Sequence, residues 1–214
     1  MLPRFDNNEE RATAAYNEFL QGAVGKGFGD VSADAFEHGY DTFDALDSIR
    51  QTMLNLLAAG LYHALEQQLA RACRLCQRRG EGPTQSALAS VAVWILENEG
   101  IDPSLLPSFA RVDELRLVAN AVKHAEGNSA VKLRQLRPEL FVEYQNAVKD
   151  AAGPLDAQWH PRLSVEEPLA GEDLHVSPGL LREYCMAATL FLGELADQLD
   201  ACAQFWGRAP SPDA

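Results

Sequence analysis

The chain is patterned for helices. From Phe36, apolar residues recur every three or four positions through Tyr40, Phe43, Leu46, Ile49, Met53, Leu57, Leu61, Leu65 and Leu69 to Cys73 and Cys76. That is the one-face spacing of an amphipathic helix. It predicts one long helix, or two joined at a kink near Gly39, ending by Gly80. From Asp44 to Arg79 alone it would run about 54 Å at the α-helical rise. A helix that long needs neighbours along its length, so it is the expected spine of a bundle.

Shorter segments carry the same period. Glu9 to Gln21, capped by Asn7 or Asn8, turns Ala12, Ala15, Tyr16, Phe19 and Leu20 inward. Gly22, Gly25, Gly27 and Gly29 then form a flexible connection, without the Gly-Lys-Ser/Thr ending of a phosphate loop. Thr84 caps a helix through Asn98 that Gly100 ends. Ser177-Pro178 opens a last helix in the favoured order of cap and first-turn proline, with Leu180, Tyr184, Phe191 and Leu195 on its buried face. Strict alternation is confined to Arg162–Val165 and Asp173–Val176, enough for one short β-hairpin in the C-terminal third. The fold class is therefore all-α, a helical bundle with one spine helix and at most that hairpin.

The helix from Val112 to Glu126 changes the picture, because its polar side is organised. Leu115, Val118, Ala119, Val122 and Ala125 share the core side. Arg116, Asn120 and His124 step every four residues along the other, flanked by Asp113 and Lys123. An arginine, an amide and an imidazole on one ladder can meet a common phosphate or carboxylate. The plainer reading pairs Arg116 with Asp113 or Asn120 and uses His124 to complement the helix dipole. Gly127 is the expected left-handed cap of this helix. Ser129 is the expected N-cap of a short helix through Leu136 that Pro138 closes.

Charge sharpens the contrast. The 214 residues carry a net charge of −13, which disfavours non-specific nucleic-acid binding. It is uneven: residues 1–70 carry −7, residues 138–214 carry −9, and residues 71–137 carry +3. The basic stretch contains Arg116 and Lys123, then Lys132, Arg134 and Arg137, which makes it the candidate anion-binding region. It can equally be a segment that pairs with acidic flanks. Cys73 and Cys76 have metal-ligand spacing but sit in a helical pattern with no second pair, so they read as buried thiols and no metal site is expected. No Walker loop, Gly-x-Ser-x-Gly elbow or His-Glu-x-x-His is present, and no cofactor is expected. No run reaches the roughly 18 apolar residues of a membrane span, and the N-terminus has no apolar signal core. A cytoplasmic protein without membrane contact is the expectation.

Two stretches, Gly60-Leu-Tyr-His-Ala-Leu-Glu-Gln-Gln-Leu69 and Glu114-Leu-Arg-Leu-Val-Ala-Asn-Ala-Val-Lys-His124, together resemble the HEPN superfamily, over about residues 40–141. Members are small α-helical bundles, usually dimeric, of bacterial toxin–antitoxin and antiviral defence systems, and many are metal-independent ribonucleases. Length predicts a single domain, read as HEPN-like and helical over residues 1–207, and the tail at 208–214 reads as disordered. His124 matches the family histidine and Asn120 the polar position. The family arginine falls at Ala119, and Arg116 lies one turn earlier, seven residues before His124.

Three functions follow from these readings. The first is a non-catalytic HEPN-like module that binds a protein partner or a nucleotide, as a homodimer or with a cognate partner, within a defence or toxin–antitoxin system. The second is a divergent ribonuclease acting on RNA, with His124 as general base and Arg116 stabilising the phosphorane, and with Asn120 and Lys123 assisting. The third is a structural helical protein with a solvated polar face.

Overall fold

The computed structural model describes residues 7–22, 28–75, 83, 85, 87–141 and 173–207. Six α-helices make up these residues: α1 (Asn8–Gly22), α2 (Phe28–Leu75), α3 (Leu88–Glu99), α4 (Phe109–His124), α5 (Asn128–Leu136) and α6 (Pro178–Gly207). Short 3-10 turns at Pro103–Leu105 and Pro138–Leu140 join them. The fold is all-α. The spine, α2, is one continuous helix of 48 residues, about 72 Å long, and begins earlier than its apolar period suggests.

The core lies between the second half of α2 and helices α3, α4 and α6. Leu54, Ala58, Leu65 and Leu69 of α2 are buried with Leu115 and Val118 of α4 and Tyr184 and Phe191 of α6. Helices α4 and α6 run antiparallel: Tyr184 reaches Glu114, and Glu194 reaches Ser108 at the start of α4. The Glu194 carboxylate accepts from both the Ser108 hydroxyl, at 2.6 Å, and the Ser108 N–H, at 3.2 Å. A carboxylate from α6 thus sits where the dipole of α4 favours an anion.

Entry into α6 is fixed by two buried amides on α2. Asn55 donates to the Leu174 carbonyl at 2.7 Å and accepts from the Val176 N–H at 3.3 Å. Gln51 donates to the Val176 carbonyl at 3.2 Å and to Asn55 Oδ1 at 3.1 Å. Two side chains thereby satisfy backbone that a sheet would otherwise pair. Of the expected hairpin, Arg162–Val165 lies outside the described residues. Leu174 forms an isolated antiparallel bridge with Phe141. Ser177 caps α6 as expected, its Oγ accepting from the Leu180 N–H at 3.1 Å.

Several local expectations are corrected. Helix α3 starts at Leu88 rather than after Thr84, because the Leu88 N–H is held at 3.0 Å by Glu66 of α2. Thr84 itself, like Cys76, Arg78, Arg79 and the 208–214 tail, lies outside the described residues. The residue with positive φ after α4 is Ala125 (φ 55°, ψ −134°), not Gly127, which is extended at φ 169° and precedes α5. Ser129 is inside α5 rather than at its cap, because its Oγ accepts from Asn120 of α4.

The largest correction concerns the first half of α2. Phe36, Tyr40 and Ile49, which fit the core stripe, are 69%, 62% and 51% exposed. On this half α1 packs against the spine as the second arm of an antiparallel hairpin, closest at Gly39. A Cβ on Gly39 would stand 3.1 Å from the Tyr16 Cβ and 3.2 Å from the Ala12 carbonyl oxygen. Glycine there permits the close approach of α1. Among the described residues, no helix is long and apolar enough to cross a membrane.

Candidate functional site

Helix α4 presents its polar ladder as the sequence suggests. Val112, Leu115, Val118, Ala119 and Val122 are buried, while Arg116 and Asn120 are half-buried and Lys123 and His124 exposed. The ladder does not converge. Arg116 Nε donates to Asp113 Oδ1 at 2.6 Å. That bond holds the guanidinium protonated more firmly than usual. Asn120 is drawn toward α5, donating to Ser129 Oγ at 3.3 Å. Among the described residues, no hydrogen bond or ion pair joins Arg116, Asn120 and His124 to one another. His124 and Lys123 lie in the last turn, where cations suit the helix dipole.

The remaining basic candidates are also mostly engaged. Arg134 makes a two-pronged pair with Glu126, one arm at 2.7 Å, and stacks its guanidinium 5.5 Å from the centre of the Phe141 ring. Arg137 bonds Glu139 and reaches inward to Glu114. Lys132 is exposed. Of the five basic candidates, Arg116, Arg134 and Arg137 therefore close their charge on nearby carboxylates.

Two polar clusters that the sequence reading overlooked lie deeper. Glu114, 6% exposed, accepts from Arg111 at 2.7 Å, from Arg137, and from the Tyr184 hydroxyl at 2.8 Å. Burial first, and the Glu114 charge second, push the Tyr184 phenol far above its ordinary range, so it stays a donor. A buried carboxylate with three donors is satisfied, and removing one donor would expose the cost of the rest. The second cluster is on α2. Burial and Glu66 likewise raise the Tyr62 phenol, which also faces Arg116 and Asp113. Glu66 meets His63 Nδ1 at 3.6 Å, and His63 is in turn held by Gln67 at 3.0 Å. A carboxylate in the middle of an apolar stripe, as Glu114 is between Val112 and Leu115, was the available signal for the first cluster.

A further feature is apolar. Between α1 and the first half of α2 runs an open groove of about 750 Å³. Ala12 and Tyr16 line it from α1, and Phe36, Gly39, Tyr40 and Phe43 from α2. It follows from the fold: α1 has few large side chains and sits close to Gly39, so the aromatics on either side of that contact keep one face open. Glu9 stands in the groove. On the helical period, Glu37 and Asp44 flank the Phe36–Tyr40 line and Asp47 continues it.

No family model matches the chain, and neither a curated protein nor a solved structure is similar to it.

Proposed function

We propose that this protein is a non-catalytic, HEPN-like helical module whose role is to bind a protein partner through the groove between α1 and α2. The observation that carries the reading is the pair of aromatics, Phe36 and Tyr40, standing more than half exposed along an open apolar groove. Contiguous exposed apolar surface of this kind marks an interaction site. Aromatic side chains are the usual anchors of such contacts. Against the ribonuclease reading stands the chemistry of α4. Arg116, the residue needed to stabilise a phosphorane, is committed to Asp113, and among the described residues none is bonded to His124 to orient it as a base. A nucleotide would meet Arg134 and Arg137 already paired with Glu126, Glu139 and Glu114. If the HEPN resemblance holds, the setting for such a module is a bacterial defence or toxin–antitoxin system. Of the expected assemblies, a cognate partner is favoured over a homodimer, because residues 8–50 hold nine acidic and three basic side chains and two copies would meet with like charge.

The test is site-specific photo-crosslinking in the native host. A photoreactive residue at position 36 or 40 should give one discrete adduct, and one at the exposed Thr189 of α6 should not. The reading falls if the groove positions give no adduct. It also falls if purified protein cleaves RNA and His124→Ala abolishes that cleavage.

A further inference from the structure

We propose that the occupant of the α1–α2 groove is a basic amphipathic helix of the partner, about three turns long. The inference rests on the docking role just proposed and names the chemistry of the partner.

The shape sets the first requirement. The lining runs from Ser32 to Phe43 on α2 and from Glu9 to Tyr16 on α1. At the helical rise these are about 17 Å and 11 Å, the length of two to three turns. Two antiparallel helices that meet closely at Ala12 and Gly39 leave a channel lined by Tyr16, Phe36, Tyr40 and Phe43. A third helix fits it by laying apolar side chains at i, i+4 and i+7 between those walls, the helix-in-groove mode. A peptide strand has no edge here to pair with, since both walls are helices whose backbone bonds are internal.

Charge sets the second requirement. The segment that forms the groove is strongly acidic, with nine carboxylates against three basic residues over 8–50. Glu9 is within the groove, and Glu37 and Asp44 flank its line, while Asp47 beyond them is paired with Arg50 at 3.5 Å. Lys or Arg flanking the apolar stripe of an incoming helix would meet these carboxylates. Such complementarity steers encounter and fixes orientation. The same field repels the other candidates. RNA and anionic lipid surfaces carry the wrong sign. A second copy would bring another acidic hairpin. The basic residues Arg71 and Arg74 of the same chain are on the far end of the same helix, more than about 50 Å from Phe36 at the helical rise, and cannot fold back.

The experiment uses the full chain and two fluorescent 14-residue helical peptides with the same Leu/Phe stripe. One carries Lys on its polar face and the other carries Glu. The basic peptide should bind at least tenfold more tightly. Phe36→Asp and Tyr40→Ser should each weaken it at least tenfold while circular dichroism stays that of wild type. Glu9→Gln with Glu37→Gln, which leaves the apolar lining intact, should weaken it severalfold and flatten its salt dependence. Equal binding of both peptides, or binding of a scrambled basic peptide as tight as the patterned one, overturns the inference. So does a concentration-dependent dimer of the wild type that Phe36→Asp abolishes, which would name a second copy as the occupant. A crosslinked partner at Tyr40 with no preference for the basic peptide sinks the helix chemistry and leaves the docking role standing. No adduct and no peptide binding ends both.

Discussion

The two halves of α2 share one backbone and one period, yet they live in different surroundings. From Gln51 onward, every turn buries residues: Leu54, Asn55, Ala58, Tyr62, Leu65, Leu69 and Cys73 are all nearly inaccessible. From Val31 to Arg50 only Ala35 and Gly39 are buried. Charge divides at the same place. Residues 28–50 hold six acidic side chains, and from 51 to 70 Glu66 stands alone, bonded to the Leu88 N–H. The second half is helix because three other helices need its surface. The first half is helix because it continues an already nucleated one and packs against α1. Packing and exposed apolar surface are thereby separated along one rod: the bundle half holds the core, and the hairpin half leaves Phe36 and Tyr40 exposed.

The largest test of this division compares two phenylalanines. Phe191 is fully buried on α6, its ring centre 6.1 Å from that of Phe109. Phe191→Ala should cost about 3–5 kcal/mol of unfolding free energy through lost burial and the cavity left behind. Phe36→Ala removes the same ring from an exposed position and should stay within about 0.5 kcal/mol. Urea denaturation of both variants checks the pair. Similar costs would mean that the groove is filled within the folded chain and the comparison is false.

The next test separates the halves from each other. Gly39→Leu forces a side chain against Tyr16 and the Ala12 carbonyl. It should cost about 1–3 kcal/mol locally, the usual range for overpacking. The loss should fall on α1. Hydrogen exchange should show α1 amides opening sooner, while α4 and α6 amides keep the protection of wild type. Exchange that accelerates equally in all helices would show one cooperative unit instead of two.

Periodicity reveals α2, α4 and α6 well, because a stripe at three-and-four spacing must be buried for a helix to be stable in water. It cannot say which stretch of a stripe finds a neighbour. Phe36 and Tyr40 satisfy the pattern as fully as Leu65 and Leu69, and only tertiary contacts distinguish them. The α4 ladder is legible for the same local reason, and so is the alternative pairing of Arg116 with Asp113, three residues away. Glu114 is legible only as a carboxylate set among core positions, and its partners are not. Its burial depends on Arg137, 23 residues on, and Tyr184, 70 residues on, and spacing within one helix carries no information about either. Gly127 and Ser129 mislead because turn chemistry names residues that suit a cap, whereas the Asn120 contact and the backbone of Ala125 decide where the turn falls.

Ala125 offers a smaller probe, confined to the bundle half. It is a buried residue at φ 55°, ψ −134°, a region that L side chains rarely adopt. Ala125→Gly removes the strain and loses one buried methyl. The balance should stabilise the fold by about 0.5–1 kcal/mol. An increase in the urea midpoint with an unchanged slope is the expected result. A decrease would show that the methyl contributes more to the core than the strained backbone costs.

The smallest effect is the acid dependence of one surface pair. Glu139 bonds the Nε of Arg137, whose other arm reaches the buried Glu114. The hydrogen bond from Arg137 is the main reason the Glu139 carboxyl titrates below its ordinary value of 4.5, and its slight burial opposes that shift. A depressed folded-state value means the charged form favours the fold. The stabilisation is present above the ordinary value and is lost as pH falls through the folded-state value. Because the Glu139 side chain is 52% exposed, solvent screening limits it to a few tenths of a kcal/mol. Urea midpoints of wild type and Glu139→Gln should therefore differ slightly at pH 7 and converge once the pH falls below the folded-state value, with the gap closing at every pH near 1 M salt. The pair between Arg137 and Glu114 survives in the variant, so the core is not disturbed. Parallel curves across the whole range would mean that Arg137 spends its charge on Glu114 alone, and that the bundle half gains nothing from the outer carboxylate.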